Sequence, residues 1–352
     1  MSKTKTKTRK KTKNKPQAKA KTQAKTQVQI PVTILTGYLG SGKTTLINHI
    51  LSVQHGHRIA VIENEFGEEG IDNELLVQDR DEQIIEMNNG CICCTVRGDL
   101  IRILNELAAK KADGRVKFDR VIIETTGLAD PAPVAQTFFV DDDIRQNFIL
   151  DAIVTTVDAK HAPEQLDKHH EAQEQVGFAD RILVTKSDLV SAEELEELHR
   201  RLRKINPKAG IREAIHGETN IDNILDIKGF NLDAILEIEP DFLDEDAHAH
   251  THDDHIASFV FSEQRALDPD RLEEVLAVVV EKFGTQLLRY KGVLNVDGMP
   301  HRIIVQGVHM LVGSAAGSAW GKNETRQSKF VFIGHDLPKD VILEGLRSCV
   351  VE

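Results

Sequence analysis

Residues 29–51, QIPVTILTGYLGSGKTTLINHIL, constrain the chain more than any other stretch. An apolar run from Ile30 to Leu35 stops at a glycine-rich loop, and the loop leads straight into a helical pattern. The loop fits G-x-x-x-x-G-K-[ST] from Gly37 to Thr44. Its glycines, Gly37, Gly40 and Gly42, let backbone N–H groups turn inward on phosphate oxygens, and a helix N-terminus adds partial positive charge. Ser41 and Thr45 complete the cradle. Lys43 can reach the β- and γ-phosphates, and the Thr44 hydroxyl is placed to ligate Mg2+. A strand before and a helix after separate this element from a chance glycine turn. The pattern predicts an α/β P-loop NTPase domain, a mostly parallel sheet flanked by helices.

Two other strand ends narrow the chemistry. RILVTKSDLV, residues 181–190, places Thr185-Lys186-Ser187-Asp188 after an apolar run. The Asp188 carboxylate can accept two hydrogen bonds from the N1–H and exocyclic amine of guanine, a donor pair that adenine lacks. The Lys186 stem can lie along the base face. Thr185 stands where the guanine-reading N-K-x-D element has Asn, and a hydroxyl is a shorter linker than an amide. FDRVIIETTGLADP, residues 118–131, leads from an apolar run into Glu124 and Gly127. Glu124 can hold a magnesium shell through water, and the Gly127 N–H can meet a γ-phosphate. Lys43, Glu124 and Gly127 are the catalytic candidates. RIAVIENEFGEEGID, residues 58–72, follows a strand with Glu63, Glu65, Glu68, Glu69 and Asp72. That stretch reads as a solvated acidic loop or as a switch whose carboxylates, Glu63 and Glu68 among them, see a metal; Gly67 and Gly70 would let it move.

GCICC at residues 90–94 concentrates three of the four cysteines. Four cysteines in 352 residues are too few for a disulfide scaffold, which implies a reduced, cytoplasmic setting. Adjacent Cys93 and Cys94 would also make a strained bridge. A soft-metal site, a redox pair and a packed turn remain open. Three thiolates at Cys91, Cys93 and Cys94 suit Zn2+ or Cu(I) and leave one tetrahedral position. Water, Glu68, a partner or a second copy in a homodimer can fill it.

Charge is split along the chain. Residues 1–28 hold ten Lys, one Arg and no acid, so the overall −12 leaves −23 on the rest. Repeated Lys, Thr and Gln without apolar periodicity read as a disordered basic tail over 1–29. The acidic body argues against a nucleic-acid groove, and no run of 18 apolar residues suggests a membrane span. Residues 30–238 form the expected GTPase domain. FLDEDAHAHTHDDH, residues 242–255, sets His248, His250, His252 and His255 among five acids. We read 239–255 as a His/Asp-rich linker able to capture Zn2+, Ni2+ or Co2+ weakly, or as a plain polar linker. Residues 256–352 alternate strand and helix patterns, with Asp268 as N-cap, Pro269 in the first turn and a hairpin around Asp297-Gly298. They predict a smaller C-terminal α+β domain. His301, His309 and His335 have no motif around them and read as surface or packed residues. Cys349 reads as a small apolar residue.

Together, GYLGSGKTT, ENEFGEEGID, GCICCTVRGDL, ETTGLADP and TKSDL resemble the CobW-type GTPases, also called zinc-regulated GTPase metalloprotein activators. These are related to the nickel-insertion GTPases of urease and hydrogenase maturation. The resemblance spans about residues 30–350 and leaves the basic tail outside. It implies a G domain fused to a C-terminal domain, and GTP hydrolysis coupled to delivery of metal to a client metalloprotein. It also implies that Cys91, Cys93 and Cys94 bind that metal, with GTP, Mg2+ and Zn2+ as cofactors. Two alternatives stand beside this reading. One is a passive zinc buffer with a vestigial GTPase site. The other is a different P-loop enzyme, such as a small-molecule kinase.

Overall fold

The first sheet has seven strands, β1 (Ile30–Gly37), β2 (Ile59–Glu63), β3 (Leu75–Val77), β4 (Arg120–Glu124), β5 (Phe148–Asp158), β6 (Arg181–Thr185) and β7 (Gly210–Ala214). This computed structural model describes residues 29–63, 75–77, 96–230, 256–321 and 324–351. Cys91, Cys93, Cys94, Glu68, His248, His250, His252, His255 and the basic tail lie outside them. The strand order is β3-β2-β4-β1-β5-β6-β7, and only β3 pairs antiparallel. β1 is central, with β4 on one side and β5 on the other. The chain therefore crosses over at β1, and the crevice at its C-terminal end is where open α/β sheets bind ligands.

Among the described residues, seven helices accompany this sheet: α1 (Lys43–Ser52), α2 (Val96–Ala112), α3 (Ala132–Val140), α4 (Asp142–Asn147), α5 (Ala162–Lys168), α6 (His170–Phe178) and α7 (Ala192–Ile205). Strands covered on both faces need apolar residues in both parities. In β4, Val121 and Ile123 join the cluster that holds Leu100, Leu104 and Leu107 of α2. Ile122 between them joins Leu46, Ile47 and Ile50 of α1. α7 starts at a capping box, in which Ser191 and Glu194 satisfy each other's backbone N–H, and buries Leu198, Leu202 and Ile205.

The second sheet is antiparallel in the order β11-β10-β9-β12-β8. Its strands are β8 (Ile256–Glu263), β9 (Leu287–Leu294), β10 (His301–Val308), β11 (Leu311–Ala319) and β12 (Ser328–His335). Two helices belong to it, α8 (Pro269–Phe283), N-capped by Asp268, and α9 (Lys339–Ser348). Phe330 and Phe332 of β12 pack with Ile342 and Leu346 of α9. Val331 and Ile333, on the opposite parity, join the cluster that contains Val176 and Phe178 of α6. This sheet is thus sandwiched between its own helices and the first unit. Gly307 faces Tyr290, and a Cβ there would lie 2.0 Å from the Tyr290 ring, so that strand pair requires glycine. Cys349 is buried against the Gly345 carbonyl, and burial pushes its thiol up, which fits the packed residue expected.

Candidate nucleotide and metal site

The phosphate loop turns between β1 and α1. Gly37 sits at φ 144° and would place a Cβ 2.3 Å from Thr156 Oγ1. Gly42 caps α1 at φ 93°, in the left-handed region that favours glycine. Lys43 folds back over the loop, its Nζ donating to the carbonyls of Gly37 at 2.8 Å and Tyr38 at 3.5 Å. Burial pulls its ammonium below the usual value, and Glu124 opposes that pull. Ser41 Oγ and Thr156 Oγ1 are hydrogen-bonded at 2.7 Å behind the loop.

Thr44 Oγ1 donates to Glu124 Oε1 at 3.4 Å, so the two expected magnesium-shell residues come together. Register places Glu63 beside Glu124 at the ends of β2 and β4. Both acids therefore stand at the sheet edge that carries the loop. Gly127 lies against the loop itself: a Cβ there would come within 2.8 Å of the Leu39 backbone. Gln175 Nε2 holds that crossing, donating to the carbonyls of Gly127 and Ala129 at 3.1 Å each.

Thr185 ends β6 beside the phosphate loop. Its hydroxyl reaches the Ser41 carbonyl at 2.8 Å and lies 3.3 Å from that of Val157. Lys186, at φ 55°, bridges Gly40 O at 2.8 Å and Asp158 Oδ2 at 2.6 Å. Burial alone would raise the Asp158 carboxyl. The hydrogen bonds from Lys186 and His161 and the Lys186 charge outweigh it and hold Asp158 below its usual range. Asp188 is exposed in the short 3-10 turn Ser187–Leu189 beside this bridge. Thr156, Asp158 and Gln175 escaped the sequence reading. β5 ends in Thr156 and Asp158 without a recognisable motif, and Gln175 works from a helix that carries no signature.

A strand–loop–helix cradle, a carboxylate beside its threonine and a second strand end bound to the loop define a P-loop nucleotide-binding protein. The chain belongs to the CobW family. Residues 31–213 match the model "CobW/HypB/UreG, nucleotide-binding domain", and residues 256–350 match "Cobalamin synthesis protein cobW C-terminal domain". It is 42% identical over 324 residues to the zinc chaperone YjiA of Escherichia coli, covering 90% of this chain and 99% of that protein. It is 34% identical to the zinc chaperone CobW of Pseudomonas aeruginosa, over 91% of this chain and 92% of that one. The crystal structure of the Zn(II)-bound YjiA GTPase superposes with a TM-score of 0.75 at 37% identity, covering 92% of this chain and all of that one. Among the described residues, no helix is long and apolar enough to cross a membrane.

Proposed function

We propose that this chain is a GTP-hydrolysing zinc chaperone that binds Zn2+ through Cys91, Cys93 and Cys94 and passes it to a client metalloprotein in the cytoplasm. Residues 30–238 act as the GTPase unit, 239–255 as the linker and 256–352 as the C-terminal unit. The supporting observation is the geometry at the C-terminal ends of β1, β4 and β6. There Lys43, Thr44 and Glu124 converge, and Lys186 ties the guanine-reading segment to the same loop. The close relatives' names as zinc chaperones point the same way.

Each residue has a physical task. Backbone N–H groups from Gly40 to Thr45 bind phosphate oxygens at the α1 N-terminus. Lys43 exchanges its loop carbonyls for the β- and γ-phosphates and compensates their charge. Asp188 reads guanine. Thr44 and Glu124 fit a Mg2+ ion, which would neutralise the developing phosphate charge. The Gly127 segment, pressed on the loop and held by Gln175, is the element that senses the γ-phosphate. Cys91, Cys93 and Cys94 lie in sequence between Glu63 and Glu124, so metal and nucleotide bias one two-state element and each changes the other's affinity.

Competitive zinc titration against a chromophoric chelator tests this, with a non-hydrolysable GTP analogue and with GDP. The protein should lack His248, His250, His252 and His255. Zinc affinity should differ between nucleotides by roughly 5- to 150-fold, the span of a coupling of about 1–3 kcal/mol. The triple Cys91→Ser, Cys93→Ser, Cys94→Ser variant should lose the tight site in both states. Equal affinity with both nucleotides sinks GTP-driven delivery, since equal affinity for two states shifts nothing.

A further inference from the structure

His335 has no motif around it in the sequence, and the fold gives it neighbours. On β12 it shares the parity of Val331 and Ile333, the face turned toward α6. His170 and Glu174 lie four residues apart on α6, so they share one helix face. Glu174 Oε1 is 3.0 Å from His335 Nε2 and 3.6 Å from His170 Nε2. The two imidazole centroids are 4.0 Å apart. One ligand atom from each residue can be chosen so that all lie within 4.8 Å of one another.

These distances fit a metal as well as an ion pair. Tetrahedral Zn2+ with bonds of about 2.0–2.1 Å sets neighbouring donors about 3.3–3.4 Å apart. The two separations from Glu174 bracket that value. The third edge closes by a shift of His170, whose side chain is 49% exposed, while those of His335 and Glu174 are only 14% and 23% exposed. A metal takes both rings neutral on one anion. Two imidazoles and a carboxylate suit Zn2+, Co2+ or Ni2+.

We propose that His170, Glu174 and His335 form a transition-metal site of their own, completed by water on the exposed side of His170, which pins β12 of the C-terminal unit to α6. The same helix reaches the nucleotide loop at two points. His169, immediately before it, stacks on Tyr38 at 4.8 Å, and Gln175 holds Gly127. A metal here therefore stiffens the joint between the C-terminal sheet and the nucleotide cradle. The site stands apart from the cysteine motif and does not depend on GTP-driven delivery.

The test uses the full chain with Cys91, Cys93 and Cys94 changed to Ser and His248, His250, His252 and His255 changed to Asn. It is titrated with Co2+ in excess Mg2+ and GDP. This background should bind one Co2+ with the visible d–d absorption of a nitrogen- and oxygen-ligated ion and no thiolate charge-transfer band. His335→Ala should abolish the signal. His170→Ala, at an exposed position that leaves packing intact, should weaken binding at least ~10-fold. Absence of Co2+ uptake by the background protein, or uptake unchanged by His170→Ala, overturns the site. Because the cysteines are already gone, failure here says nothing against zinc delivery, and failure of nucleotide-dependent zinc affinity says nothing against this site.

Discussion

At the C-terminal ends of β1, β4 and β6, the polar groups line a crevice and hydrogen-bond to one another, with Thr44 and Asp188 exposed and Lys43 buried on its loop. Lys43 rests on loop carbonyls, Thr44 on Glu124 and Lys186 on Gly40. Toward the N-terminal ends of β5 and β6, the charges are buried and fully committed inside the protein. Asp151 accepts from the backbone N–H groups of Lys228 at 2.7 Å and Ile227 at 3.1 Å. Asp180 accepts from Ile153 N at 2.9 Å and from the guanidinium of Arg289, which arrives from β9 of the second sheet. Arg289 also donates to the carbonyls of Phe178 and Gly229 and covers the Phe230 ring at 4.2 Å. The contrast separates a working edge from a structural one. At the crevice, polar groups rest on neighbours that a ligand can replace, as Lys43 does on the carbonyls of Gly37 and Tyr38. Groups that join the two sheets are sealed, because a buried charge is stable only when paired and hydrogen-bonded.

Three changes probe that contrast, and the largest effect belongs to the sealed edge. Arg289→Ala should cost about 3–5 kcal/mol, because Asp180 is left as an uncompensated buried charge. Urea unfolding reads the loss, and nucleotide titration should show a far smaller change. Combining it with Asp180→Asn should restore part of the stability, since the amide oxygen still accepts from Ile153. If Arg289→Ala leaves stability intact, the sheets are not joined through this pair.

The second change is in pH. Burial pushes the Asp151 carboxyl up to about 6, despite its two backbone hydrogen bonds. An unfolded aspartate titrates near ~3.9. The folded state therefore holds the proton to higher pH, and the contribution to stability is full below about pH 4 and lost as pH rises to about 6. A shift of this size corresponds to ~2–3 kcal/mol. Asp151→Asn should remove that slope, so wild-type stability should fall relative to the variant between pH 4 and 7. A constant difference between the two proteins would contradict the assignment.

The smallest stability effect lies at the working edge. Asp188 is exposed, so Asp188→Ala should hardly change unfolding. It should nevertheless cost about 1–3 kcal/mol of GTP binding by leaving the guanine donors unpaired. The preference for GTP over ATP should fall roughly 5- to 150-fold. Parallel titrations with both nucleotides decide it, and an unchanged preference would remove Asp188 from the base site.

Much of this was legible in the residues. β1, β2, β4 and β6 announced themselves as apolar runs ending in motifs, and α8 by Asp268 and Pro269. β11 did not. Its LVGSAAGSA has small residues where alternation would show, and the preceding turn uses His309 at φ 51° in place of glycine. β5 passed unread although it lies beside β1 and supplies Thr156 and Asp158 to the site.

The sequence by itself determined the phosphate cradle and the two-part division of the chain, and it set out the TKSD segment and the cysteine motif as candidates. The cradle is held by the backbone over a short run of residues, where spacing translates directly into geometry. Only the tertiary structure decided that Thr185 spans to Ser41, that Arg289 seals Asp180 and that His335 meets His170 and Glu174. Those contacts depend on strand order and on which face of β9 or β12 turns toward α6. A parity of two places a side chain on a face, but only packing against the other sheet decides what that face meets.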